Sequence, residues 1–194
     1  MSDKAIIEGR TFRIPADNID TDQIYPARYL TTTVSEGLGE FCFRDWRDNP
    51  SSRFNGLFQS FDPGRHTILV AGGNFGSGSS REHAVWALMD MGFKAVVSTR
   101  FGDIFRNNAL KNGLVPVQVG QELSDHLLGG PEREVSINLE TSTIKIPGFG
   151  VGHFQIDRFA AQCIVRGIDS LDFLLSREAE ITAFEEKREG TGRT

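Results

Sequence analysis

The sequence predicts an α/β fold with a parallel central sheet and a second, antiparallel β layer. Short apolar runs alternate with amphipathic stretches between residues 66 and 119, a pattern typical of strand–helix–strand units. Two later β-rich segments, residues 134–139 and 143–146, are close enough to form a hairpin. With 194 residues and an apolar share of 39%, the chain can bury one core. We therefore expect a single domain over residues 1–194.

The N-terminal third of the chain predicts little regular structure after its first strand. Residues 5–14 are read as a short strand or two, whereas residues 15–30 are interrupted by Pro15 and Pro26. Residues 31–65 carry scattered aromatic side chains among Gly, Ser, Asn and Pro, which predicts a long ordered loop region. A loop of this length inside a compact domain is often functional.

Three strands and two helices account for the parallel part of the fold. The strands are HTILVAG, KAVVST and LVPVQV; one helix has its apolar positions at 84, 85, 88 and 91, and the other places Ile104, Phe105, Ala109 and Leu110 inward and ends at Gly113. The short joins imply right-handed crossovers. Further helices are predicted near residues 155–166, 170–175 and 177–188, and residues 177–194 form a C-terminal helix with a frayed tail.

Composition excludes several classes of protein. The net charge of −5 predicts no broad basic face and therefore no nucleic-acid partner. Cys42 and Cys163 are far apart and form no C-x-x-C pair, so this chain cannot hold an iron–sulfur cluster unaided, and no metal site is expected. No apolar run reaches the length of a signal peptide or a membrane span, which favours a cytoplasmic protein without a membrane partner.

A glycine-rich stretch, GGNFGSGSSREHAVWAL at residues 72–88, follows the first buried strand and precedes a helix. Open α/β sheets bind their ligands at this end of a strand. Gly73, Gly76 and Gly78 are spaced G-x-x-G-x-G, which is not the dinucleotide-binding spacing, and no P-loop lysine follows them. The loop therefore favours neither a dinucleotide nor a nucleoside triphosphate.

The residues that follow these glycines predict an anion-binding site. Backbone N–H groups at the helix start, the hydroxyls of Ser79 and Ser80, and the guanidinium of Arg81 could converge on a carboxylate or a phosphate. The same residues also match a capping box, in which Ser79 caps the helix and Glu82 reaches back. The two interpretations are compatible, because a capped helix still offers its other N–H groups.

Four segments in order resemble a known family. They are DNIDTDQIYPARYL, GEFCFRDWR, NFGSGSSREHAVWALMDMGFKAVVSTRFGDIFRNNALKNGL and RGIDSLDFLLSREAEITAFEEKR. Over nearly its whole length the chain resembles the small subunits of bacterial 3-isopropylmalate dehydratases, within the aconitase superfamily. The resemblance implies a swivelling β/β/α three-layer domain that docks on a separate large subunit of the LeuC type. It also implies a hydro-lyase that is inactive without this large subunit, which carries a [4Fe-4S] cluster.

The family's reaction interconverts 2-isopropylmalate and 3-isopropylmalate through 2-isopropylmaleate in leucine biosynthesis. By resemblance, Ser79 is the catalytic base, and Ser80 and Arg81 bind a carboxylate of the small dicarboxylate substrate. Thr31 and Thr32 lie in the segment that is thought to contact the variable group of the substrate. Supporting roles are expected for a larger set, namely Asn74, Gly76, Gly78, Glu82, His83 and Asp22.

Some alternatives stay open from the sequence. His83 could act as the base, although a histidine at a helix start is more often a structural hydrogen-bonding residue. Many relatives carry basic residues after the equivalent of Leu30, whereas this chain has three threonines. The substrate could thus be another alkylmalate, such as dimethylmalate or methylmalate, or homoaconitate. A non-catalytic anion-binding module is a further alternative, and the sequence assigns no role to Arg28, Arg100 and Arg106.

Overall fold

The computed structural model describes residues 5–30, 35–175, 177, 178, 180, 182, 184 and 185. Its strands are β1 (Ile6–Ile14), β2 (His66–Ala71), β3 (Ala95–Ser98), β4 (Val115–Gln118), β5 (Glu134–Asn138), β6 (Thr143–Ile146) and β7 (Gly150–His153). Its α-helices are α1 (Thr21–Ile24), α2 (Arg44–Arg47), α3 (Asn55–Phe58), α4 (Glu82–Asp90), α5 (Asp103–Asn112), α6 (Gln121–Gly129), α7 (Arg158–Arg166) and α8 (Ser170–Leu175). Short 3-10 turns cover Ala27–Tyr29 and Leu38–Phe41.

The seven strands form one mixed sheet in the order β4-β3-β2-β1-β5-β6-β7. Strands β1 to β4 pair in parallel, and β1, β5, β6 and β7 pair in antiparallel fashion. Strand β1 belongs to both halves, because its first residues pair with β5 and its last residues pair with β2. The predicted α/β class, with a parallel sheet and an antiparallel β layer, is confirmed. The two β parts are continuous through β1.

A polar cluster of Arg10, His66 and Glu132 fastens the position where β1 changes its partner. The register of β1 shifts between Arg10 and Thr11. The Nε2 atom of buried His66 and the Nε atom of Arg10 each lie 3.1 Å from Oε2 of Glu132. Since His66 Nδ1 accepts the N–H of Asp62 at 2.8 Å, the proton of the neutral ring is on Nε2, facing Glu132.

The two faces of the sheet are covered by two separate cores. Along β2, Leu69 and Ala71 contribute to the first core, while Ile68 and Val70 contribute to the second, as expected for alternating side chains. The first core also contains residues of α4 and α5. The second combines residues from β1 to β6 with leucines of α6, so the sheet curls around it.

The described part of the predicted loop, residues 35–65, consists of single helical turns joined by aromatic packing. The ring of Trp46 packs on Phe43 at 5.4 Å and on Phe54 at 4.5 Å between centroids. Phe43 and Phe54 are buried in the first core. The region is therefore attached to the same core as α4 and α5, although it contributes little regular structure.

Several details differ from the sequence predictions. Helix α6 and strand β7 were not predicted, and Ile104, which was expected inside, is 48% exposed. Helices α7 and α8 agree with the prediction. The described residues between 178 and 185 are helical, whereas residues 186–194 of the predicted tail lie outside the described residues. Within the described ranges, no helix is both long and apolar enough to cross a membrane.

Candidate active site

The glycine-rich loop joins β2 to α4 and lies between the segments that follow β1 and β3. Backbone hydrogen bonds join it to the first segment: Gly76 N–H to Ile19 O at 2.7 Å, Thr21 N–H to Ser77 O at 2.9 Å and Asn18 N–H to Gly73 O at 2.8 Å. Two more join it to the second: Phe75 N–H to Arg100 O and Gly102 N–H to Phe75 O, both at 2.9 Å. The loop is therefore held on both sides at the carboxyl ends of parallel strands, where such folds bind ligands.

Gly76 is required by the close approach of the loop to α5. Its φ is +71°, and a Cβ atom there would lie 2.2 Å from Cγ of Phe105. Gly78 also has a positive φ, of +98°. Asn74 adopts a positive φ as well, and its side-chain amide donates to Oδ1 of Asn18 at 2.8 Å. These three predicted supporting residues thus shape or fasten the loop.

Ser79 and Ser80 are exposed at the end of this loop. The hydroxyl of Thr21 donates to the carbonyl oxygen of Ser79 at 3.0 Å, and its oxygen lies 3.5 Å from Oγ of Ser79. Thr21 itself is buried, with 2% exposure. A fixed hydroxyl therefore holds the backbone of Ser79 while the side chain of Ser79 stays accessible.

The capping box predicted for Ser79 and Glu82 is wrong. Helix α4 begins at Glu82, its N-cap residue is Arg81, and no side chain makes a capping hydrogen bond there. A capping box occurs instead at α1, where Oδ1 of Asp20 accepts Gln23 N–H at 2.8 Å and Oε1 of Gln23 accepts Asp20 N–H at 3.0 Å. Helix capping therefore does not account for Ser79.

Arg81 is held in place by Asp22. Its Nη1 atom donates to Oδ1 of Asp22, and the same oxygen accepts Ala27 N–H at 3.1 Å. The side chain of Arg81 is 17% exposed, whereas that of Asp22 is 54% exposed. The hydrogen bond from Arg81 lowers the pKa of Asp22. The geometry brings Asp22 together with the predicted carboxylate-binding arginine.

Glu82 and His83 face neighbouring elements. Oε1 of Glu82 accepts the side-chain amide of Asn112 at 2.8 Å and also lies 3.4 Å from Nζ of Lys111. The bond from Asn112, followed by that from Lys111, lowers the pKa of Glu82 despite its partial burial. The ring of His83 stacks on Tyr25, with centroids 5.8 Å apart, and packs against Trp86 at 5.0 Å. Both residues support α4 through these contacts.

The structure gives contacts for the three arginines to which the sequence assigns no role. Arg28 pairs with Asp45 in an exposed salt bridge, and Arg106 donates to Gln155 O at 3.4 Å. Arg100 contributes its carbonyl group, which accepts Phe75 N–H, while its side chain is exposed. Thr31 and Thr32 lie outside the described residues.

Comparisons with known proteins identify the family. Residues 4–122, more than half of the chain, match the aconitase C-terminal domain. The 3-isopropylmalate dehydratase small subunit of Anaeromyxobacter dehalogenans strain 2CP-C is 49% identical over 182 residues, covering 93% of this chain and 95% of that protein. The protein of the same name from Roseiflexus sp. strain RS-1 is 49% identical over 191 residues, covering 95% and 93%. The chain belongs to the family of 3-isopropylmalate dehydratase small subunits.

The fold agrees with this family. The crystal structure of the 3-isopropylmalate dehydratase (leuD) from Methanocaldococcus jannaschii superimposes with a TM-score of 0.69 at 29% identity. The match covers 92% of this chain and 98% of that one. The likeness thus includes the antiparallel half as well as the parallel half that carries the loop.

The described residues do not fit an iron–sulfur cluster. Among them, no group of three or more His, Cys, Asp or Glu side chains is arranged to bind a metal ion. Cys42 is buried in the first core, where burial raises the pKa of its thiol, and burial also raises the pKa of Cys163 on α7. Iron is bound by thiolates, which both environments disfavour.

Two residues of the site were missed from the sequence. Thr21 contacts Ser79, and Asn112 contacts Glu82, across separations of 58 and 30 residues. Thr21 is next to Asp22 in the sequence, and Asp22 was predicted to support the site, so the position of Thr21 in the same motif could have identified it. Asn112 offered no such signal, because the side-chain amide of an asparagine at the end of a helix most often bonds to solvent or to the nearby backbone.

Proposed function

We propose that this chain is the small subunit of a two-chain hydro-lyase that interconverts 2-isopropylmalate and 3-isopropylmalate through 2-isopropylmaleate in leucine biosynthesis. The observation that carries the proposal is that exposed Ser79 and Ser80 directly precede Arg81, whose guanidinium is fixed by Asp22, in a member of this dehydratase family. Hydroxyl groups and a cation at one helix start suit a carboxylate substrate.

Arg81 and Ser80 bind a carboxylate of the substrate in this proposal. A guanidinium has five N–H donors, and the bond to Asp22 uses Nη1. Asp22 therefore orients the group without consuming its capacity to bind a carboxylate. Because Arg81 is largely buried, its position is set before the substrate arrives, which reduces the entropy lost on binding.

Ser79 removes the proton from the substrate carbon next to the bound carboxylate. This step builds negative charge on the substrate, and Arg81 stabilises that charge. A serine hydroxyl is a weak base at its ordinary pKa and needs a setting that stabilises its ionised form. Arg81, two residues further along the chain, supplies the cation for such a setting, while Thr21 donates its proton to the carbonyl oxygen of Ser79 and so fixes the backbone of that residue.

The second half of the active site comes from a large subunit. Ser79 and Ser80 are open to solvent in this chain, so a partner surface is needed to exclude water during catalysis. We propose a large subunit of the LeuC type that carries the [4Fe-4S] cluster, because the described residues of this chain offer no ligand set for one. Bound in that subunit, the cluster would supply a Lewis acid for the departing hydroxyl group. The complex is expected in the cytoplasm.

The side group of the substrate depends on residues 29–33. The threonines there offer methyl and hydroxyl groups but no cation, so a third carboxylate would be left without a partner. The proposal therefore favours alkyl-substituted malates over tricarboxylates. Dimethylmalate, methylmalate and homoaconitate are alternatives for the same architecture.

The test is reconstitution of the two subunits, followed by a dehydration assay over a panel of alkylmalates and homoaconitate. We expect the complex to turn over 3-isopropylmalate most efficiently, and the separate small subunit to bind no iron and show no turnover. Iron bound to the purified single chain would contradict the two-subunit assignment. A stable complex without turnover on any substrate of the panel would favour a non-catalytic anion-binding module.

A further inference from the structure

One carboxamide bridges α4 and α5 directly behind the proposed carboxylate site. The Oδ1 atom of Asn112 accepts Trp86 Nε1–H at 2.9 Å, and its Nδ2 donates to Oε1 of Glu82 at 2.8 Å. The same Nδ2 donates to the carbonyl oxygen of Asn108 at 2.9 Å. The side chain of Asn112 thus uses both its acceptor and its donor group, and it holds two residues that are four positions apart on α4.

The first turn of α4 depends on such contacts because its start has no side-chain cap. The N-cap residue Arg81 contributes no capping hydrogen bond, so the helix end lacks a stabilising interaction that most helix starts have. Glu82 follows Arg81 directly and is fixed by Asn112. Trp86 lies one turn later and is fixed by the same carboxamide. A bridge from the far end of α5 thus fixes Glu82, the residue next to Arg81.

We propose that Asn112 is a positioning residue for the carboxylate site, acting through Glu82 and Trp86 to hold the helix start that carries Ser80 and Arg81. The inference rests on the proposed function, since it assigns Asn112 to substrate binding. The lowered pKa of Glu82, caused first by the bond from Asn112, agrees with a strong contact between the two side chains.

The test variant is Asn112→Asp, which keeps the shape and the acceptor for Trp86 but replaces the donor with a carboxylate. This carboxylate would face that of Glu82, with Lys111 as the nearby cation and His83 as the neighbouring titratable ring. In the reconstituted enzyme we expect KM for 3-isopropylmalate to rise about tenfold, with a smaller change in kcat, because residues in direct contact usually couple this strongly.

Asn107→Asp is the matched control. It makes the same chemical change on the same helix, at an exposed position. We expect it to leave KM at the unmutated value, so that any general effect of added charge on α5 is separated from the bridge. Thermal unfolding of both variants shows whether the small subunit stays folded at the assay temperature.

Two further readouts separate positioning from simple stabilisation. In the double variant Asn112→Asp/Glu82→Gln, the amide and the carboxylate exchange places, so that a donor again faces an acceptor. The KM of this double variant should return to within about threefold of the KM of the single variant Glu82→Gln. In Asn112→Asp alone the two carboxylates should share a proton at lower pH, and the KM defect relative to the unmutated enzyme should shrink from about pH 8 to about pH 6.

Hydrogen exchange on the full isolated chain tests the structural link without any assay of activity. We expect amides in residues 82–86 to exchange faster in Asn112→Asp than in Asn107→Asp. Equal exchange, or an unchanged KM in an active complex, would overturn the positioning role. If the unmutated complex turns over no substrate, the proposed function fails instead, and the exchange result alone decides whether the bridge holds the helix start.

Discussion

The two halves of the sheet differ in what fixes their loops. In the parallel half, the loop after β2 is held by backbone bonds to two neighbouring segments and by the polar contacts of Thr21, Asp22 and Asn112. In the antiparallel half, the residues that face the core are apolar, with Val135, Ile137, Ile144 and Ile146 buried. Ser79, Ser80 and Arg81 follow the carboxyl end of β2, and Asp22 follows that of β1. The loop between β5 and β6 is held by a local bond instead, from Thr141 N–H to Oδ1 of Asn138 at 2.9 Å.

The largest effect that would sharpen this comparison is expected from Ser79→Ala. Loss of a positioned general base should lower kcat of the reconstituted enzyme at least about 10²-fold. Ser79→Asn should be equally inactive, because asparagine can replace serine as a helix cap but not as a base, and Ser79 does not cap α4. Ser136→Ala, on β5 of the antiparallel half, should leave turnover unchanged. Near-normal turnover of a folded Ser79→Asn complex would remove Ser79 from catalysis.

Gly76→Ala and Gly148→Ala compare two glycines of similar backbone conformation, with φ of +71° and +80°. At Gly76 the new Cβ meets Phe105, so strain and overpacking should together cost about 3 kcal/mol. At Gly148 no atom lies within 4 Å of the new Cβ, and only the strain of about 1 kcal/mol is expected. Denaturant unfolding measures both, and equal losses would contradict the close packing of the loop.

Arg81→Lys should raise KM about tenfold, because lysine replaces a planar fork of donors with a point charge. The same exchange at Arg158, which is exposed at the start of α7, should leave KM unchanged. Steady-state kinetics over a range of substrate concentrations separates the change in KM from any change in kcat. An unaltered KM in Arg81→Lys would exclude Arg81 from the carboxylate site.

The smallest effect, on the free energy of unfolding, is expected from Glu132→Gln, in the polar cluster where β1 changes its partner. Burial raises the pKa of Glu132, but His66 and Arg10 more than offset it and leave that pKa lowered. A lowered pKa stabilises the fold above the ordinary range of the carboxyl group, and this stabilisation is lost as the pH falls through the folded-state value. Glu132→Gln should therefore cost about 1 kcal/mol at neutral pH and progressively less below about pH 4.

The measurement for Glu132 is thermal unfolding as a function of pH, with Glu134→Gln as the exposed neighbouring control. KM should stay at its unmutated value in both variants, because the cluster of Arg10, His66 and Glu132 fastens β1 and contacts none of the candidate residues. A constant difference in stability across the acid range would show that the charge of Glu132 is not the cause.

Much of the parallel half could be predicted because its elements carry local signals. Strands β2, β3 and β4 are apolar runs, and the inward face of α4 repeats with helical spacing. Helix α6 was missed because it is a short segment between Gly120 and Gly130 in which three leucines are the only large apolar residues, and β7 was missed because its sequence is GVGH. Ile104 was wrongly predicted to be buried because its spacing matches the apolar face of α5. The spacing does not show how much of that face is covered by neighbouring elements.

The candidate site was predictable as a list of residues but not as an arrangement. The motif identifies Ser79, Ser80 and Arg81 as candidate residues. The hydrogen-bond partner of Glu82, however, could not be predicted from the neighbouring sequence. A capping box would join it to Ser79, whereas the folded chain joins it to Asn112. A contact between residues 30 positions apart is decided by how α4 packs on α5, which no local pattern reports.

Strand β1 has a consequence for the order in which the molecule assembles. Its parallel partner begins at His66, but its antiparallel partner begins only at Glu134. During synthesis, one edge of β1 therefore stays without its strand until more than two-thirds of the chain has been made, and an unpaired edge is open to pairing with other chains. Closing so long a loop is entropically slow, so the second edge should close last in folding.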